Sequence, residues 1–234
     1  MRAAALVLLL FAAGDVPAPY RVARAGSPHD VLLAAEDAAW AKAERIAWGP
    51  SEYETTFRAL WDDQGLLVRF DARDPSPWHT MTKRDEHLWE EEVVEVFLDL
   101  DRSGRDYYEL EISPANVVCD VRMIVASPWK GELEWDLPGL LTNARLTPGA
   151  GKAGGWTATA FMPWSGFSAL PSAKTIALPP KPGDAWRFNA FRIERPGGKA
   201  APEQGAVEVA YSPPPGESFH APEAFKDFIF EAAR

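Results

Sequence analysis

From Thr55 onward, apolar residues come in short runs that alternate with polar ones, and Asp, Gly, Pro and Asn separate the runs. A period of two with that punctuation predicts strands and turns. TTFRALWDD followed by QGLLVRFDARD reads as a hairpin turned at Asp62 to Gly65. EVVEVFLDLD followed by RDYYELEIS reads as a second, turned at Asp101 to Gly104, and NVVCDVRMIVA continues the meander. NARLTPGAGKAGGWTATAFMPW predicts two strands joined by a Gly-rich tip, and WRFNAFRIER, VEVAYSP and FKDFIFEAA bring the total to about nine or ten. Strands in such succession, without interleaved helices, predict an all-β fold, an antiparallel two-sheet β-sandwich of the immunoglobulin or jelly-roll kind. The Pro-rich stretches KTIALPPKPGDAW and AYSPPPGESFHAPEAF read as rim loops, because proline cannot donate to a central ladder.

One position breaks the pattern. Glu95 lies between Val94 and Val96 in a run with the hydrophobicity of a strand buried on both sides. It shares a face with Val93 and Phe97, whereas Val94, Val96 and Leu98 share the other. A carboxylate there is costly unless it is hydrogen-bonded or paired.

The N-terminal third reads differently. MRAAALVLLLFAAG (1–14) has one arginine and an apolar run too short to span a bilayer, which suits an export signal; a buried first strand is the alternative. An exported chain would be periplasmic or extracellular. Residues 15–38 are expected to be largely extended, and LLAAEDAAWAKAERIAW reads as a short helix or a loop across a sheet end. Residues 39–234 then form one domain.

Composition narrows the chemistry. The 234 residues include ten Trp, twelve Phe and five Tyr, enough for one sizeable core. A net charge of −10 disfavours nucleic acid as a partner, and no later segment has the length and hydropathy of a membrane span. Cys119 is the single cysteine, so no intrachain disulfide forms and a buried inert thiol is expected. The acids Glu90, Glu91, Glu92 and Glu95 are close in sequence, but nothing selects a glycosidase pair, and the first three read as a solvated loop. Asp99 and Asp101 resemble the opening of a calcium loop; the twelfth position from Asp99 is Leu110 where that pattern requires a glutamate, so an ordinary hairpin is preferred and a weak structural calcium site is the alternative. The four histidines, His29, His79, His87 and His220, are too scattered for a zinc triad, although one of them with Met81, Met123 or Met162 keeps a haem-binding or redox sandwich open as a second class. Nucleophile-elbow, dinucleotide and P-loop patterns are missing, so no enzyme is expected. What remains is aromatic: Trp78, Trp89, Trp129, Trp135 and Phe219 lie beside expected loops, where rings and polar partners together suit the flat faces and hydroxyls of sugars.

The segments TTFRALWDDQGLLVRFDARDPSP, WEEEVVEVFLDLD, YYELEISPANVVCD, GGWTATAFMPW, GDAWRFNAFRIER and SFHAPEAFKDFIF occur, in this order, in a pattern that resembles family 9 carbohydrate-binding modules and the looser family 9-like group. The resemblance runs from about Trp40 to Phe230, and its most specific parts are W-x5-E-x-F-x-D and F-x-x-P-x2-F. It implies non-catalytic binding of the end of a plant-type polysaccharide between two rings, with polar side chains on the hydroxyls and calcium bracing loops. By position, Trp89 is implied as one ring, Glu95 as the hydroxyl-binding acid and Phe219 as the second ring, where better-known members carry tryptophan. A basic ligand-contacting position of the family falls near Glu109 and Glu111. Arg192 and Asn189 are the expected substitutes, with His220 on the rim and Arg192 or Arg187 as counter-charge to Glu95. A separate glycoside hydrolase is the implied protein partner, and no cofactor is required. The competing reading of Glu95 is a buried Glu–Arg bridge between the sheets, in a structural sandwich with no ligand.

Overall fold

The computed structural model describes residues 18–35, 37–126, 128–147 and 154–233. The expected export signal and the Gly-rich tip at 148–153 lie outside the described residues. Within them the chain forms thirteen strands: β1 (Tyr20–Arg24), β2 (Ile46–Trp48), β3 (Thr55–Trp61), β4 (Gly65–Arg73), β5 (Val93–Asp99), β6 (Tyr107–Ile112), β7 (Val118–Val125), β8 (Lys130–Glu132), β9 (Leu141–Thr147), β10 (Gly155–Pro163), β11 (Ala185–Glu194), β12 (Val207–Ala210) and β13 (Lys226–Phe230). Helix is confined to short pieces, chiefly α1 (His29–Leu33) and α2 (Trp164–Phe167). No helix of the described residues is long and apolar enough to cross a membrane.

The strands form a β-sandwich. The first sheet runs β8-β7-β6-β5-β11-β13, with β12 added beside β11, and the second runs β3-β4-β10-β9, with β2 beside β3. Strand β1 joins them. Its first half pairs with β13 (Tyr20 opposite Phe228) and its second half with β3 (Ala23 opposite Leu60), both in parallel. The sandwich is therefore mixed rather than strictly antiparallel. Residues 20–33, expected as an extended lead-in, contribute this strand and α1 to the domain. The three strands not foreseen, β1, β2 and β8, are five, three and three residues long, too short for a period of two to stand out.

The inter-sheet core follows directly from the alternation. Val94, Val96 and Leu98 of β5 and Trp186, Phe188 and Ala190 of β11 face Phe57, Val68, Phe70, Trp156 and Ala158 from the second sheet. The 62–65 turn forms as expected: the Asp62 carboxylate accepts from the Gln64 and Gly65 amides at 2.7 and 3.0 Å.

The outer face of the first sheet is not left to solvent. Leu88, Val93, Phe97, Tyr107, Val121, Phe191 and Phe225 form a second apolar cluster there, roofed by the loops around 78–92, 128–135 and 211–225. All seven residues of β5 are consequently buried. The loop acids expected in solvent are part of this arrangement. Glu91 accepts from the Thr80 amide at 2.7 Å, from the Thr80 hydroxyl and from the Met81 amide, and Glu92 accepts from the Trp78 amide at 2.9 Å. These two carboxylates are buried staples that tie the 78–81 segment to the start of β5; Glu90 alone of the three is exposed.

Candidate functional site

The roof over the first sheet leaves a cavity of about 370 Å³ lined by, among others, Trp89, Glu95, Trp129, Arg195, Phe219 and His220. Its floor is the odd-numbered face of β5 and β6. Glu95 stands directly opposite Glu111, and Phe97 opposite Glu109, so three carboxylates come to one patch. One oxygen from each lies within 4.8 Å of the other two.

Among the described residues no guanidinium or ammonium pairs with these acids. Glu95 is 2% exposed, yet its Oε1 has no hydrogen-bond partner among the described residues, and the same holds for Oε2 of Glu109 and of Glu111. Burial, and then the negative charge of Glu109, raises the Glu95 carboxyl well above the usual range. Burial and then Glu95 do the same to Glu111. Burial pushes Glu109 up to about 7. His220 approaches Glu109 at 3.9 Å, but burial lowers its pKa to about 4, so it is neutral at pH 7 and its Nδ1 is hydrogen-bonded to the Tyr107 hydroxyl at 2.8 Å.

The walls are aromatic. Trp89 sits in a 3-10 turn (Leu88–Glu90) just before β5, its ring stacked on His87 at 4.4 Å. Phe219 stacks on Phe191 at 4.3 Å, and His220 on Phe97 at 5.3 Å. Trp129, 47% exposed, reaches the rim from the turn before β8. A Cβ at Gly131 would meet Val121 at 2.7 Å and Trp129 at 3.2 Å, so the glycine lets β8 lie close and the indole settle inward. Arg195, just past β11, forms an ion pair with Glu208 of β12 at 2.7 Å and donates to the Trp89 carbonyl at 3.3 Å. Two other clefts exist among the described residues. The one on the outer face of the second sheet is lined by Arg45, Arg58, Arg69 and Arg73, but Arg69 is spent on Asp71 and Asp37 and Arg73 on the Ser51 carbonyl. The one beside β1 and the residues that follow β13, lined by Arg21, Arg24, Lys42 and Glu231 among others, has no aromatic wall.

Residues 34–191 match the model of the carbohydrate family 9 binding domain-like family. The chain belongs to that family. Two solved structures of a family 9 carbohydrate-binding module from Caldicellulosiruptor kristjanssonii, in complex with cellotriose and with glucose, share its fold at TM-scores of 0.63 and 0.61 and 18% identity. The first covers 93% of this chain and 95% of its own, the second 92% and 96%. A putative carbohydrate-binding protein from Bacteroides uniformis is similar to the same degree: TM-score 0.63, 18% identity, 91% of this chain and 97% of its own. No curated protein matches the chain.

Of the residues that the sequence pointed to, this family 9-like domain brings Trp89, Glu95, Phe219 and His220 around one cavity. Arg192 and Asn189 are not there. Arg192 pairs across the ladder with Val94, an inward residue, so its side chain enters the sandwich interior, opposite to Glu95. There it bonds Asp74 at 3.0 Å and Glu194, beneath the Trp156 ring at 5.1 Å. Arg187 is no counter-charge to Glu95 either, because it stands opposite Asp99, four positions along β5. Glu95 makes no ion pair among the described residues, so the Glu–Arg bridge expected as its competing explanation is not formed. Asn189 is buried with its amide committed to Ser212, donating to the carbonyl at 2.8 Å and accepting from the amide at 3.0 Å. Asp99 and Asp101 serve their hairpin, accepting from Gly104 at 2.9 Å and Ser103 at 3.0 Å. Trp78 and Trp135 are packing residues, the former donating to the Arg195 carbonyl at 2.7 Å and the latter edge-on to Tyr108. Of the possible methionine ligands, Met123 and Met162 are fully buried, in the outer cluster and the inter-sheet core respectively.

Arg195 was the residue missed. Its odd parity relative to Arg192 marked the outer face, but the sequence does not show where β11 ends and the roof begins.

Proposed function

We propose that this family 9-like domain binds carbohydrate, without chemical change, in the cavity over β5 and β6. The observation that carries the reading is an aromatic-walled cavity lined by Glu95, Glu109 and Glu111, each of which keeps one buried carboxylate oxygen without a hydrogen-bond partner among the described residues. Buried acceptors without donors are costly in a stable core, about 1–3 kcal/mol each. Sugar hydroxyls supply such donors, and sugar C–H faces suit indole and phenyl rings. Kinship with modules solved with cellotriose and glucose supports the same ligand class. In this reading Trp89 and Phe219 stack on the sugar, Glu95 accepts from its hydroxyls, and Trp129 and His220 border the entrance. The exported location and a separate glycoside hydrolase as partner belong to the same proposal; calcium at Asp99 and Asp101 carries no part of it.

Retention of the full chain on soluble and insoluble β-glucans and xylans tests the proposal. Wild-type protein is expected to be retained, and Trp89→Ala and Glu95→Gln each to weaken retention by about tenfold or more, the effect of losing one buried polar contact or one ring. Wild-type protein that ignores every glycan presented, or variants that bind as it does, would remove the basis for the reading.

A further inference from the structure

The cavity is rich in acidic side chains. Glu95, Glu109, Glu111, Glu208 and Glu217 line it, against Arg195 as the single guanidinium. That guanidinium pairs with Glu208 through Nη2 at 2.7 Å, and its Nε and Nη1 are buried without a hydrogen-bond partner among the described residues. His220, the other candidate cation, is neutral at pH 7. Neutral sugars need some acceptors, but they do not need three buried carboxylates whose oxygens converge within 4.8 Å. An ammonium group does fit such a spot. It carries three N–H donors in tetrahedral array, and acceptors at hydrogen-bonding distance from its nitrogen lie within about 4.6 Å of one another. The aromatic walls favour an organic cation over a bare ion, because rings attract cations held against their faces and also stack on a sugar.

We infer that the preferred ligand is an amino sugar, a hexosamine unit with a free ammonium, seated on Glu95, Glu109 and Glu111 between Trp89, Trp129 and Phe219. This rests on the carbohydrate reading of the pocket and narrows it. Without a counter-charge the three acids hold protons above the ordinary carboxylate range, through burial and, for Glu95 and Glu111, through the neighbouring acids as well. An arriving ammonium replaces those protons, which pass to the buffer, so binding is accompanied by proton release. A uronic acid offers no ammonium donor and brings a further carboxylate beside Glu208 and Glu217, so it is disfavoured.

The test compares, by calorimetry on the full chain at pH 7, a β-1,4-linked glucosamine trimer, its N-acetylated form, cellotriose and a galacturonic acid trimer. The glucosamine trimer is expected to bind at least about tenfold tighter than cellotriose, as one charge-assisted contact implies. Acetylation, which removes the charge and keeps the ring, is expected to abolish that advantage, and the uronate to bind weakest. Heats measured in buffers of different ionisation enthalpy are expected to show protons released with the amine only. In Glu109→Gln and Glu111→Gln the ratio of glucosamine-trimer to cellotriose affinity is expected to collapse by about tenfold, whatever happens to cellotriose affinity itself. Equal or tighter binding of cellotriose overturns this inference and leaves carbohydrate binding standing, as does a preference that survives both substitutions. Binding of none of the four sinks the underlying reading as well. Saturable calcium binding to the protein that Glu111→Gln abolishes assigns the three acids to a metal and also overturns it.

Discussion

Replacing Glu109 by Gln isolates the energetic consequence of burying acids under the cavity. Burial moves this carboxyl from 4.5 to about 7 in the folded protein. The folded state therefore holds a proton, between those two values, that the unfolded chain has lost. Unfolding releases it, and stability falls as pH rises through the window. By pH 8 the interval corresponds to about 3 kcal/mol of lost stability, since each pH unit between the two values is worth about 1.4 kcal/mol. Glutamine has the same shape and never ionises. At pH 5 the variant and the wild type are expected to be nearly equal; at pH 8 the variant is expected to be more stable by about 2–3 kcal/mol, or about 5–10 °C in Tm for a chain of this size. Glu95 and Glu111 titrate together with Glu109, so removing one charge also eases the other two. Asp99 and Asp120, each raised to about 6 chiefly by burial, add to the wild-type slope. The quantity to measure is accordingly the difference between the two proteins, from thermal or urea unfolding at pH 5, 6.5 and 8. A difference that stays constant across that range refutes the reasoning, because it would mean the carboxyl is ionised or neutral alike in both states.

Two further outcomes follow from other buried groups. Arg192→Met leaves Asp74 and Glu194 in the interior without their guanidinium, beside Glu92, which burial, then Glu194, already raises to about 10. A loss of about 3–5 kcal/mol at pH 7, read from the urea midpoint, is expected, and it should shrink as the acids are protonated on lowering the pH; a variant as stable as the wild type contradicts the buried ion pairs. Cys119 is fully buried and its thiol pKa is raised by burial and then Glu111, so a thiol reagent at pH 8 should leave the native protein unmodified and react on unfolding; rapid native modification contradicts the packing of β7.

Much of this molecule is local and therefore legible in the chain. Alternation in VVEVFLD assigns Val94, Val96 and Leu98 to one face and Glu95 to the other whatever surrounds the strand, and the Asp62 to Gly65 turn closes its hairpin with its own side chain. The ordered segments from Trp40 to Phe230 also carried the family, and Trp89, Glu95, Phe219 and His220 do meet at one cavity.

Facing relations between distant strands are another matter. Arg192 and Glu95 are neighbours in the first sheet, but the register sets Arg192 opposite Val94 and Glu95 opposite Phe191, and that one-residue offset sends the two charges to opposite faces. Only the pairing of β5 with β6 puts Glu111 beside Glu95 and turns three separate acids into one uncompensated cluster. Whether Glu91 and Glu92 meet water or backbone amides depended on a loop returning over the sheet. Sequence determined the longer strands, their faces and the kind of side chain each face offers, because those follow from backbone geometry one residue at a time. Tertiary structure decided which charges share a space, because register and roofing loops are set by contacts among residues far apart in the chain.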